Sequence, residues 1–522
     1  MPPASAHRAL RALYGDVDPD EIYRISWLSS LLCAIIGGFW LLDSLKDTVL
    51  ATTVGLEWQP KAKVASVFVT LLVVAAYNAL VRRISKPALF YVFGGIYAGI
   101  FVIIGGLLAH KTIGLENTEP DPRRFIGWLT YFAIESYGSL MVALFWAFTN
   151  ASVDARTAEA SYGLVVAFAQ LGAIGGSTLA TQARRFHISF LFVLGGCSCV
   201  LVCVMVFGYE RLFASDQTAA EARPVAHATD EEEDDAPAPP PPPPKKPASW
   251  RNFFDGLGLI WRHAYVFNLL LISTLYEVVL TVLDFEMKVV GRARYGGDRR
   301  ATEEFARLMG QFGILVNSTS FFFSLLGFSY VVRKLGLATT LLVFPVLCLT
   351  ATLVCYVHPS LPTLFVATAL LKALTYALNE PALEMLYLPT STDIKFQAKA
   401  WIDVVGARTA KALGSAINDV VQGSPALRTR LPQYGNVPTF VVSLILLVVA
   451  VRMGRRYDDV SASGEVVGDA AAAPQGYELV EQPRSAATES ASPFKRSLER
   501  LHSFDDDDSE LDSVEGGEDP RR

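Results

Sequence analysis

The chain has 522 residues, a formal net charge of −6, and 52% hydrophobic against 18% charged residues. An ordinary soluble protein carries nearer a quarter charged residues, so that class is excluded. Most of the acidic excess lies in the C-terminal tail and a central segment, so the net charge says little about a partner.

The first 25 residues are polar, and 6–24 read as a short amphipathic helix. No cleavable signal is expected. The first apolar run begins near Ile25 and ends in Lys46 and Asp47, not at a small-residue cleavage site. Apolar runs of about twenty residues, enough to cross a bilayer core, then recur. They place spans at 26–45, 62–82, 88–109, 125–149, 161–181 and 187–209, within a first bundle over 26–210. Residues 229–235 are acidic and 237–247 almost all proline, so 211–250 is expected to be an extended, solvated linker. Residues 250–263 mix Trp, Phe and Leu with charges and suit an interfacial helix. Further spans are expected at 265–288, 306–331, 336–357, 361–380, 400–421 and 437–453, within a second bundle over 251–456. From 457 to 522 the chain is polar and acidic, with the composition of a disordered tail.

The expected fold class is therefore all-α: a polytopic membrane protein with about twelve transmembrane helices in a major-facilitator-like 6+6 arrangement. That plan puts the substrate between the two bundles. It rests on helix count and linker position, since no sequence repeat relates the halves. Arg82, Arg83, Lys86, Lys245, Lys246, Arg333, Lys334, Arg452, Arg455 and Arg456 all fall on the side of the termini, which should be cytoplasmic. Arg184, Arg185, Arg292, Arg294, Arg299 and Arg300 fall on the other side and oppose that orientation.

The six cysteines all lie in apolar runs and read as small buried hydrophobes without metal-ligand spacing. Gly172-x-x-x-Gly176 and Gly95-x-x-x-Gly99 read as helix-packing pairs. No Gly-rich phosphate loop ending in Gly-Lys-Ser/Thr is present, so ATP hydrolysis is not expected to drive the protein, and it is not expected to be an enzyme.

Ionisable residues inside the spans carry the functional signal, because burying a charge in hydrocarbon costs about 2.5 kcal/mol or more. Lys46 and Asp47 close span one, and Glu135 sits in the middle of span four. Span seven holds Glu277, Asp284, Glu286 and Lys288; span ten holds Lys372 and leads to Glu380 and Glu384. These four spans line the cavity in the major facilitator fold. Asp47, Lys288, Lys372 and Glu380 fit equally well as span-end charges that snorkel to the interface. Span eleven is the least apolar. Lys399 and Asp403 share a helical face, and Arg408 and Lys411 follow. An interfacial helix is the alternative for this segment. Lys46, Lys399, Arg408 and Lys411 together suit phosphate, through compact lysine charges and a forked guanidinium. The acids would couple protons or form gating pairs.

Several motifs resemble one family. Leu45-Lys46-Asp47-Thr48, Asn78, Leu89-Phe90-Tyr91, Glu135-Ser136-Tyr137-Gly138-Ser139 and Phe145-Trp146-Ala147-Phe148-Thr149-Asn150 follow in order. Asp284-Phe285-Glu286-Met287-Lys288 comes next, then Pro381-Ala382-Leu383-Glu384-Met385-Leu386-Tyr387-Leu388-Pro389-Thr390, running on through Lys395, Lys399, Ile402-Asp403-Val404, Gly406, Arg408 and Lys411. Over most of 26–453 the chain is similar to the ATP/ADP antiporters, the nucleotide transporter family of plastids and obligate intracellular bacteria. The resemblance implies exchange of ATP for ADP or related nucleotides without hydrolysis. Proton-coupled symport of nucleotides or another organic anion is the alternative. It also implies functional roles for Lys46, Glu135, Asp284 and a lysine in the Lys395/Lys399 region. Two departures bear on nucleotide specificity. Asp284 stands where plastid members have Glu. Ala382-Leu383 replaces Thr-Lys, so the cation beside Glu384 is missing. The candidate substrate-binding residues are Lys46, Glu135, Asp284, Lys288, Glu384, Lys395, Lys399, Asp403, Arg408 and Lys411. A nucleotide and membrane lipid are the expected partners of a monomer in a plasma or organelle membrane, with no nucleic acid, metal or cofactor.

Overall fold

The computed structural model describes residues 19–81, 83–152, 155–213, 250–295, 299–326, 328–391, 393–424 and 431–468. Most of the expected N-terminal segment, linker and tail lies outside these residues. What is described is helical. The one bridge among the described residues pairs Thr390 with Val467. In hydrocarbon a backbone amide has no partner but its own helix, so long apolar runs take this form.

The first half comprises α1 (Pro19–Thr53), α2 (Gln59–Leu80), α3 (Lys86–Leu108), α4 (Phe125–Ser152), α5 (Ala155–Thr181) and α6 (Ile188–Leu212). A helix at Trp250–Arg262 precedes the second half and packs on the segment Ile394–Ala398. The second half comprises α7 (Ala264–Tyr295), α8 (Arg299–Leu326), α9 (Leu337–Val357) and α12 (Asn436–Ser463), with two interrupted helices between the last two. The first, α10, runs Leu361–Leu374, passes through a π segment at Thr375–Asn379 and continues as Glu380–Met385. The second, α11, starts as a π segment at Ile394–Ala398 and has another at Ile402–Gly406 before Ala407–Gly423. Chain entry into α3 and α10 is set locally: Ser85 and Ser360 cap the amides of Ala88 and Thr363, and a proline follows each cap.

Each expected span coincides with one of these helices, and several run further than their apolar cores suggested. The largest extension is α1, whose 35 residues reach well beyond Lys46 and Asp47. Those charges do not end the helix because Thr48, Val49 and Leu50 beyond them are fully buried. Residues 457–463 continue α12, and Val467 is buried, so 457–468 is structured where a disordered tail was expected. Among the described residues, nine helices are long and apolar enough to cross a membrane: α1–α4, α6, α7, α9, α10 and α12. Of the remaining three, α5 is apolar over the shorter stretch Val165–Thr181 while α8 and α11 carry more polar residues, and all three pack along the seams between the halves: α5 on α8, and α11 on α2.

Two large apolar cores form, one from residues of α1 and α3–α6, the other mainly from α7–α12. Glycines set the closest approaches. A Cβ on Gly172 would lie 2.2 Å from the Cys33 carbonyl oxygen, and one on Gly176 2.0 Å from that of Gly37, so α5 seats directly on α1. The Gly95/Gly99 pair does not do this. A Cβ at either would meet nothing within 4 Å, and α3 instead approaches α6 through Gly94, Gly105 and Gly196. Of the cysteines, Cys199, Cys348 and Cys355 are buried, whereas Cys197 is exposed on α6.

Candidate functional site

The mid-membrane charges gather between the halves. Lys46 on α1 donates to Asp43 and to Glu135 on α4, each at 2.6 Å, and its ammonium lies 5.0 Å from the centre of the buried Tyr131 ring. On α7, Lys288 pairs with Asp284 of its own helix and, at 2.7 Å, with Asp47 of α1. Asp284 also accepts from Lys372 of α10 at 3.2 Å. Lys288, Asp47 and Asp284 have side chains no more than 8% exposed. They do not snorkel; they tie the two halves together. Lys372 keeps its ammonium 5.3 Å from the Phe312 ring.

On α11, Lys411 pairs with Glu277 of α7 at 3.2 Å. Lys399 pairs with Glu384 at 2.8 Å and lies 3.8 Å from Asp403. The cation missing next to Glu384 in sequence is thus supplied by α11. Arg408 is half-buried and Lys395 exposed; among the described residues neither has a carboxylate within 4.0 Å. The π segments at Thr375–Asn379 and Ile402–Gly406 interrupt α10 and α11 beside this group; such bulges alter the helical register and re-aim the side chains that follow.

Glu135, Lys372 and Lys411 side chains are 28 to 42% exposed although each sits well inside its helix. Lys411 and Glu135 belong to opposite halves yet interact electrostatically, so this exposure faces a shared polar cleft. Glu286 is different. It is fully buried on the other face of α7 and accepts from Asn436 of α12 at 2.8 Å, joining two helices of one half.

Two members of the charged group were not read from the sequence. Asp43 lies one turn before Lys46, a spacing that would have flagged it. Lys63 lies at the very start of the expected second span, where a charge reads as a span end. In the structure it is half-buried and interacts electrostatically with Asp284, Lys288, Lys372 and Lys411.

The ion pairs joining the halves among the described residues lie towards the end remote from the termini. Besides Lys288–Asp47, they link Lys61 to Asp419, Arg184 to Glu304 and Arg299 to Glu116, and the His187 ring nitrogen lies 3.6 Å from the Glu303 carboxylate. Thr52 and Thr302 approach to 3.1 Å there. Cavities of about 580 and 320 Å³ lie at the same end, the first along the α5–α8 seam and the second between the end of α3, the start of α6 and the start of α8, and neither includes any of the mid-membrane charges.

The sequence matches the family described as TLC ATP/ADP transporter over residues 363–457, which spans α10 to α12. ADP,ATP carrier protein 1 of Chlamydia muridarum is 23% identical, with 87% of this chain and 92% of that protein covered. ADP,ATP carrier protein 4 of Rickettsia bellii is 22% identical, covering 76% and 82%. Among solved structures, a bacterial homologue of the iron transporter ferroportin in an inward-facing state superposes with a TM-score of 0.54 at 13% identity, over 84% of this chain and 100% of that one. The nucleoside transporter NupG superposes with a TM-score of 0.51 at 12% identity, over 83% and 99%. These neighbours share the two-bundle transporter fold. Over most of its length, and on that fold, the chain is similar to the ATP/ADP transporter family.

Proposed function

We propose that the protein is a membrane nucleotide transporter that exchanges ATP for ADP or a related nucleotide by alternating access. The observation that carries this reading is the set of lysines converging on one cleft between the halves, in a chain similar throughout to ADP,ATP carriers. A polyphosphate presents several negative charges, and compact ammonium groups meet them at short range. In the structure Lys46, Lys372, Lys399 and Lys411 are neutralised by Glu135, Asp43, Asp284, Glu384 and Glu277. Substrate phosphates would take over these lysines and release the carboxylates. The empty and loaded clefts then differ in their ion pairing, which is what an exchanger needs to tie reorientation to occupancy.

The bundles 26–210 and 251–456 are the moving bodies in this reading, with 211–250 as their tether. The termini are cytoplasmic, and the cleft opens to the cytoplasm because the inter-half ion pairs close the opposite end. Purified protein in vesicles loaded with ADP should take up labelled ATP only while internal nucleotide is present. Folded protein that takes up no labelled nucleotide, with or without a proton gradient, would overturn the proposal. Uptake that follows the proton gradient and needs no internal nucleotide would instead favour symport.

A further inference from the structure

Arg184 and Arg185 oppose the positive-inside pattern, and both line the cavity of about 580 Å³ at the end remote from the termini. Gln182 lines it beside them from the first half. Arg307 and Gln311, one helical turn apart on one face of α8, line it from the second. The two helices touch beside the cavity. A Cβ on Gly310 of α8 would lie 2.8 Å from the Ser177 carbonyl oxygen and 2.8 Å from the amide nitrogen of Thr181, itself a lining residue. The two walls of the cavity therefore belong to different halves and are held at a set spacing. On the α5 side the chain turns through the short helix Ala183–Phe186 and then His187, the one non-glycine residue with positive φ (57°) among the described residues. Backbone strain of this kind persists only where its surroundings fix it, and here it holds the corner that presents the two arginines.

The three guanidiniums are short of acceptors. Arg184 and Arg307 share Glu304, each at 3.9 Å, which is beyond hydrogen-bonding distance. Arg185 lies over the Phe186 ring, 5.4 Å from its centre, and has no carboxylate within 4.0 Å among the described residues. None of the three donates a hydrogen bond to a described residue. Three cations thus surround one space with a single carboxylate between them. A guanidinium offers forked N–H donors that match the oxygens of a phosphate. Leu179, Phe186 and Phe190, next to these arginines in the chain, are exposed apolar side chains at a helix end, where a bilayer surface would lie. A lipid headgroup can reach the cavity from that surface, and a free anion can reach it from water.

We propose that this cavity binds a phosphate group, carried by an anionic phospholipid or by a free phosphoanion, which is gripped by Arg184 and Arg185 from the first half and by Arg307 from the second. The site is separate from the lysine cleft and does not depend on the nucleotide reading. A phosphate seated there is attracted from both halves, whereas without it the three cations repel one another. It clamps the end at which the ion pairs between the halves lie.

The test is thermal unfolding of the purified full-length protein in a neutral detergent. It is titrated with short-chain phosphatidylglycerol, with phosphatidylcholine of the same chain length, or with inorganic phosphate. The melting temperature of wild type should rise with phosphatidylglycerol or inorganic phosphate, and less with phosphatidylcholine. A rise with phosphatidylglycerol alone assigns the site to a lipid headgroup; a rise with inorganic phosphate assigns it to a free phosphoanion as well. Arg184 and Arg307 are more than half exposed, so their substitution leaves the fold intact. Arg307→Gln, and Arg184→Gln combined with Arg185→Gln, should each raise the midpoint of the titration on the order of tenfold or more, as expected for lost charge-assisted contacts. Glu304→Gln removes the competing carboxylate and should lower the midpoint. Lys46→Ala, in the lysine cleft, should leave it unchanged. No rise in wild type with either anionic probe would overturn the site, and so would an equal rise with phosphatidylcholine. A midpoint that the arginine variants of either half leave in place, or that Glu304→Gln raises, would overturn it too. A midpoint that moves in Lys46→Ala but not in the arginine variants would put the phosphate in the lysine cleft instead.

Discussion

Lys46 is held by two carboxylates and an aromatic face, so its side chain is fixed at the cleft before any substrate arrives. Removing it does two things at once. It deletes a phosphate contact, and it leaves Asp43 and Glu135 facing an anionic substrate with no cation between. Lys46→Ala should therefore lower the apparent affinity for ATP by about tenfold to a hundredfold, from the worth of one to two charge-assisted contacts. Measured exchange with unchanged affinity would remove Lys46 from the site. Lys399→Ala should weaken exchange less, because Lys399 is divided between Glu384 and Asp403 and lies in the outer part of the group. At this scale the charged residues themselves were legible in the sequence, because ionisable side chains in apolar runs stand out. Their partners were not. Glu384 looked short of a cation because its neighbour is Leu383, yet the cation arrives from a different helix. Lys63 was passed over because a lysine at the start of an apolar run has an ordinary explanation.

The helices were legible because most are apolar runs of bilayer length, nine of them among the described residues, whereas their ends and interruptions were not. The π segments of α10 and α11 carry no composition signal, and α1 continues through its charges because the second half covers its far end. Glycine spacing was an incomplete guide. Gly172/Gly176 and Gly95/Gly99 have the same spacing, but only the first pair meets a neighbouring backbone. Gly176→Leu should therefore force α5 off α1 and destabilise the protein by about 1–3 kcal/mol or more, the usual range for overpacking. Gly99→Leu, on an open face, should stay within about 0.5 kcal/mol. Thermal unfolding in detergent measures both; a Gly176→Leu variant as stable as wild type would contradict the packing described.

Across the whole molecule, the ion pairs that join the halves among the described residues lie at the end remote from the termini. Alternating access requires those links to be breakable. Lys288–Asp47 is the most buried of them, and Lys288 keeps Asp284 as a partner when Asp47 leaves. Asp47→Asn should weaken closure while sparing the Lys288–Asp284 bond. A cysteine placed at Thr302, which is 1% exposed at the closed end, reports on this. In a background without the native cysteines, a membrane-impermeant maleimide should label it faster when Asp47→Asn is present. Equal labelling would mean that the pair does not hold the closed end. The two-bundle plan was legible from helix count and the proline-rich linker. The end at which ion pairs join the halves was not, because it depends on pairs between residues far apart in the chain.

In the proposed exchange, one cleft of lysines binds a nucleotide from either side and reorients with it. Counterflow tests this most directly: vesicles containing the purified protein and internal ADP are offered labelled ATP. Accumulation of label that requires internal nucleotide, and that falls in Lys46→Ala, is the expected result. Label that enters equally well without internal nucleotide, or that enters unchanged in Lys46→Ala, would contradict it.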